Sequence, residues 1–82
     1  MINWAKIGRN VNAEGEVTIT YQGAGTDLLI QSRKRNIPHA NREGFWQHTS
    51  FFVMWRGEDL HGFATLEDAK VFAERVHNGQ PV

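Results

Sequence analysis

Apolar and polar residues alternate with a period of two from Glu16 to Gln22. Val17, Ile19 and Tyr21 point one way, and Thr18, Thr20 and Gln22 the other. In an extended chain successive side chains leave opposite faces, so this pattern predicts a half-buried β-strand, and its β-branched residues suit one. The same period returns over Asp27 to Arg35, with Leu28 and Ile30 opposite Leu29, Gln31 and Arg33. Gly23-Ala24-Gly25-Thr26 between them is a connection of hairpin length. Ahead of them, Ile2, Trp4 and Ile7 predict a short strand that Gly8 ends. Asn10 to Gly15 then has the Asn and Gly residues of a turn.

Thr49 to Arg56, TSFFVMWR, is apolar on both sides, with Phe51, Val53 and Trp55 opposite Phe52 and Met54. Such a strand belongs in the middle of a sheet with something covering each face. Gly57-Glu58-Asp59 turns the chain, and Leu60 to Ala64 returns as an edge strand weakened by Gly62. The period then changes. Leu66, Ala69, Phe72, Ala73 and Val76 recur at helical spacing, leaving Glu67, Lys70, Glu74 and Arg75 toward solvent. Thr65 is an N-cap with Asp68 three residues on, Asn78-Gly79 is a C-cap, and Pro81 blocks continuation.

The expected fold is therefore α+β: an antiparallel sheet of four to five strands packed by one C-terminal helix (about residues 66–78), in a single domain over residues 1–82. One short helix covers only part of such a sheet. The stretch from Asn36 to Gln47 reads as a long loop, in which Pro38 keeps Ile37 out of helical geometry. The uncovered face then curls over itself, takes that loop as a lid, or meets a partner.

Composition narrows the class. A chain of 82 residues buries about 60–65% of its unfolded surface, so the core is thin. Five Phe, three Trp and one Tyr are expected to supply much of it. Without cysteine there is neither a disulfide nor a thiolate zinc site. MINWAKIGRN lacks the apolar run of a signal peptide, and no later stretch reaches membrane-span length, so a cytoplasmic location is expected.

Net charge is zero but unevenly spread. Residues 33–56 carry Arg33, Lys34, Arg35, Arg42 and Arg56 against Glu43, a net +4. Residues 57–82 carry Lys70 and Arg75 against Glu58, Asp59, Glu67, Asp68 and Glu74, a net −3. Strong non-specific affinity for DNA normally needs a basic chain, and this one is neutral with a basic middle.

That middle, RKRNIPHANREGFWQH from Arg33 to His48, is the candidate binding segment. Arg33, Lys34, Arg35, Arg42 and Arg56 offer donors to phosphate or carboxylate, and Phe45, Trp46 and His48 offer rings that stack on bases or anchor a protein contact. The plainer alternative is a solvated strand end with Trp46 closing the core. The acid that meets these cations is then the chain's own C-terminal third, or that of a second subunit. His39, His48 and His61 supply the number of imidazoles a catalytic zinc needs, but without any metal-binding spacing; hydrogen-bonded or exposed histidines are the simpler reading, and no metal or cofactor is expected. Ser32 and Ser50 lie in no nucleophile elbow, Glu58 and Asp59 are adjacent and point apart, and Gly23-Ala24-Gly25 lacks the Lys and helix of a phosphate loop. An enzyme is not expected.

From Phe51 through Ala73 the order of aromatic strand, Gly turn, returning strand and capped helix resembles the three-stranded-sheet-plus-helix modules of phage integrase arm-binding domains and AP2-type domains. Gly57, Phe63, Thr65, Glu67, Ala69 and Ala73 are the matching positions. The resemblance implies a sheet face that enters the DNA major groove, here with Arg56, Trp55 and His61 beside the acidic Glu58 and Asp59. Size and composition also fit a phage or prophage accessory protein. The leading expectation is a non-enzymatic binding module acting through a protein partner or as a homodimer; the alternative is a nucleic-acid-binding module using segment 33–56.

Overall fold

The alternating segments form a single antiparallel meander in the computed structural model, which describes residues 2–79. The strands are β1 (Trp4–Val11), β2 (Val17–Gly23), β3 (Leu28–Pro38), β4 (Phe45–Trp55) and β5 (Glu58–Phe63), followed by the helix α1 (Leu66–His77). They lie side by side in chain order. This is the α+β arrangement expected, with five strands and the C-terminal helix.

Register sorts the side chains. Tyr21, Ile30, Val53 and His61 form one cross-strand row, and Ile19, Ser32, Phe51 and Phe63 the next, so these share the face on which the helix sits. Ile30 and Val53 are fully buried against Ala69 and Ala73 of α1, with Leu28 and Ile2 completing the centre. Alanines at the crossing let the helix backbone come close to the sheet. Trp4, Tyr21, Phe51, Phe63, Leu66, Phe72 and Val76 pack around that centre. Burying one such aliphatic side chain contributes about 1.5–3 kcal/mol, so the row at Ile30 is where the fold is decided.

The helix begins where its capping residue puts it. Thr65 is extended, and its Oγ1 accepts the Asp68 N–H at 3.2 Å. At the other end the Asn78 N–H donates to the Glu74 carbonyl, and Gly79 takes φ +72°. Pro81, expected to stop the helix, lies outside the described residues.

Four expectations need correction. Asn36 to Gln47 is not a long loop and supplies no lid: Asn36 pairs with Gln47, Ile37 with Trp46 and Pro38 with Phe45, leaving only residues 39–44 as a turn. His39 N–H donates to the Gly44 carbonyl there, and Gly44 adopts φ +95°. Pro38 sits at the strand terminus, where its missing N–H breaks no ladder. This ribbon runs past the helix, so both its faces meet solvent and no alternation betrays it.

Second, β1 does not end at Gly8 but continues to Val11, absorbing Ile7 as a bulge between Lys6 and Gly8. It is an edge strand exposed beyond Trp4, again without a buried face to impose a pattern. Third, the β4–β5 turn is Arg56-Gly57, both with positive φ, so Glu58 and Asp59 already belong to β5. Fourth, among the described residues no helix or strand covers the side of β4 that faces away from α1. Thr18, Thr20, Gln22, Gln31, Arg33, Arg35 and Ser50 dominate that face of the sheet, and Leu29, Phe52 and Met54 are half-buried among them.

Candidate functional site

The open face is built around Arg33. Its Nη1 and Nη2 donate to the two Asp59 carboxylate oxygens at 3.0 and 2.9 Å, its Nε donates to Gln31 Oε1 at 2.9 Å, and Nη2 lies 3.6 Å from Met54 Sδ. The guanidinium carbon sits 4.2 Å above the Phe52 ring centre. Phe52 in turn lies flat on Gly62, where an added Cβ would come within 2.9 Å of Cε1. Glycine is there to make room for the ring, and the cation closes over it. The hydrogen bonds from Arg33 hold the Asp59 carboxyl below its usual pKa. Arg33 is thus committed to the molecule's own acidic β5.

Arg35 is committed as well. Its Nη2 donates to Thr18 Oγ1 at 2.9 Å and its Nη1 to the Val17 and Lys34 carbonyls at 3.3 and 3.1 Å. Beside it the Glu16 carboxylate accepts the Asn36 backbone N–H at 2.8 Å and Asn12 Nδ2 at 2.9 Å. Those two hydrogen bonds, the backbone one foremost, lower the Glu16 pKa. Asn12 Oδ1 accepts from the Glu14 and Glu16 amides, so the β1–β2 turn is fastened to β3 where the ribbon leaves the sheet.

Beyond that brace the ends of β3 and β4 form a two-stranded arm. Trp46 is 46% and Phe45 55% exposed, on opposite faces, each paired with an apolar neighbour: Ile37 with Trp46, Pro38 with Phe45. Trp46 meets His48 edge-on, ring centres 5.5 Å apart. Lys34 lies on the helix side of the sheet opposite Val17 and Thr49, and Arg42 is exposed in the 39–44 turn. Neither makes an ion pair among the described residues, whose ion pairs are Arg33–Asp59 and Arg56–Asp27.

The eight candidate residues therefore do not form one patch. Arg33, Arg35, Trp46 and His48 share the open face; Lys34 and Phe45 share the other; Arg42 is at the tip. Arg56 is at the far end of β4, over Trp55 at 4.7 Å and bonded to Asp27 at 3.2 Å. Trp55 and His61, offered by the integrase and AP2 resemblance, face the helix instead of the open surface. His61 packs on Phe63 and Phe72 at 4.7 and 5.7 Å. His39 and His48 are in the turn and on the open face, so the three histidines do not converge. Among the described residues no group of three or more His, Asp or Glu is placed to hold a metal.

Two partners of these cations were not named individually from the sequence, which offered only the acidic C-terminal third as a whole. Asp59 is the partner of Arg33, and the opposite charges of segments 33–56 and 57–82 were the signal for it. Asp27 is the partner of Arg56, and no local pattern marks it. The chain has no match among protein-family models, curated proteins or solved structures. No helix among the described residues is long and apolar enough to cross a membrane.

Proposed function

We propose that the chain is a small non-enzymatic binding module that acts through protein contact, with a second copy of itself or another protein seated on the β3–β4 arm. The observation that carries this reading is the pair Phe45 and Trp46, each about half exposed on a ribbon that has left the helix behind. Large rings bury much area at little cost in side-chain entropy, which is why they anchor protein interfaces. Each face of the arm carries one such anchor with polar neighbours: Trp46 beside Ile37 with His48 on one face, and Phe45 beside Pro38 with Lys34 on the other.

The basic-aromatic segment 33–56 also supports a nucleic-acid-binding module, through Lys34, Arg42 and Trp46. Internal partners for Arg33, Arg35 and Arg56 reduce the cations on offer to phosphate, and each lost phosphate contact flattens the salt dependence of binding by about one unit of slope. Sedimentation velocity over a range of concentrations, with a parallel titration of single- and double-stranded DNA and of RNA in low salt, separates the readings. Concentration-dependent association without nucleic-acid binding supports protein contact. A monomer that binds nucleic acid with steep salt dependence overturns it in favour of the alternative.

A further inference from the structure

The far end of the molecule from the arm carries a second arrangement that the protein-contact reading does not use. A cleft of about 540 Å³ opens between the β2–β3 turn, the end of β4 and the C-terminal turn of α1, lined by Gly25, Thr26, Asp27, Leu28, Trp55, Val76 and His77. Val76 gives its floor apolar surface, with Leu28 beneath at 2% exposure. One wall is the Trp55 ring, 42% exposed. The other carries the Asp27 carboxylate. The C-terminal end of a helix, with its partial negative charge, closes the third side. An aromatic face, a carboxylate and a helix C-terminus all favour a positive charge.

The site is also held in shape. Thr26 Oγ1 donates to the Gly23 carbonyl at 2.8 Å and accepts the Leu28 amide at 3.1 Å, and Gln22 Nε2 donates to the Thr26 carbonyl at 3.0 Å. A Cβ on Gly23 would lie 2.7 Å from Thr26 Oγ1, so glycine permits this tight turn. Asp27 is thus presented by a braced backbone, as a binding group should be.

Arg56 already brings a guanidinium to two of the residues that line this cleft. Its guanidinium carbon is 4.7 Å from the Trp55 ring centre and its Nε 3.2 Å from Asp27 Oδ2, while Asp27 Oδ1 accepts no hydrogen bond among the described residues. Arg56 does this from φ +51°, in the first position of a two-residue turn where Asn, Asp or Gly is the usual occupant. The backbone there would be easier for glycine, and it is the arginine side chain that makes both contacts.

We propose that this cleft binds an alkylguanidinium group, and that Arg56 is a resident guanidinium which the incoming one displaces from Asp27. The alkyl chain lies against Val76, and the planar cation pairs with Asp27 beside Trp55. Two sources share this chemistry, a free small molecule and the arginine side chain of another protein.

The test is a titration of the isotopically labelled full chain with agmatine and, separately, with acetyl-Gly-Arg-Gly-amide, following backbone amide shifts. Saturable shifts at Gly25, Asp27 and His77 are expected below about 10 mM, in the weak range that a few exposed contacts sustain. Asp27→Asn weakens binding by about three- to fivefold or more, and Trp55→Leu by a similar factor. Arg56→Ala tightens it by about the same factor, because the resident competitor is gone. Whichever ligand binds tighter identifies the source. Absence of saturable shifts, equal binding of neutral 1-butanol, or an unchanged midpoint in Asp27→Asn whose remaining spectrum overlays the wild type would overturn the site. An unchanged midpoint in Arg56→Ala would overturn the displacement.

Discussion

Arg33 is the residue on which the structural and nucleic-acid readings diverge most sharply, and replacing it with methionine separates them. Methionine keeps the aliphatic cover over Phe52 and removes the charge. The bidentate pair with Asp59 joins a side chain 22% exposed to one about half exposed, so its coupling is worth about 0.5–1 kcal/mol after solvent screening. The guanidinium over the half-buried Phe52 ring adds about 0.5–1 kcal/mol, and Gln31 loses a partner that water replaces. The expected loss is about 1–2 kcal/mol, a fall of roughly 5–15 °C in the thermal midpoint for a domain of this size. Thermal unfolding followed by circular dichroism measures it. A double-mutant cycle with Asp59→Asn isolates the pair and should return a coupling of about 0.5–1 kcal/mol. No loss of stability and no coupling would mean that Arg33 stands free of Asp59, and the assignment of a structural role would be wrong.

Acid should dissolve the same contact. Because Arg33 depresses the folded-state pKa of Asp59, the stabilisation is fully present above its ordinary value of 3.8 and is lost as pH falls through the lower folded value, so the wild-type advantage over Arg33→Met should hold at about pH 6 and shrink below 3.8. Gly62→Ala drives a methyl into the Phe52 ring and should cost about 1 kcal/mol in urea unfolding, against the gain that alanine normally brings to a strand. Thr65→Ala removes the acceptor for the Asp68 amide and should cost about 1 kcal/mol by the same assay. Ile30→Ala empties the centre of the core and should cost about 3–4 kcal/mol, enough to leave much of so small a domain unfolded at 37 °C.

The parts of this fold that were legible in the sequence are those where one face is buried. Val17, Ile19 and Tyr21, then Leu28 and Ile30, alternate because every second side chain meets the helix side of the sheet. The helix from Leu66 to His77 showed its stripe and its cap for the same reason. Beyond the reach of that helix the pattern stops, because solvent on both sides imposes no alternation. That is why the paired residues Asn36–Pro38 and Phe45–Gln47 read as loop, and why the strand beyond Gly8 was missed. The candidate site suffered from the same gap. Arg33, Lys34 and Arg35 are consecutive in sequence, but a strand sends the middle one to the opposite face. The pairing of Arg33 with Asp59 needed the register of three strands, which composition hinted at only through opposite segment charges.

Sedimentation velocity on the wild-type chain beside a Phe45→Ser/Trp46→Ser double variant tests the arm as a contact surface most directly. Both rings are about half exposed and outside the core, so the variant should keep the wild-type thermal midpoint within a few degrees, in line with surface substitutions generally. The expected result is a sedimentation coefficient that rises with wild-type concentration toward that of a dimer, while the variant stays monomeric throughout. Identical monomeric profiles for both proteins at every concentration would contradict self-association through the arm.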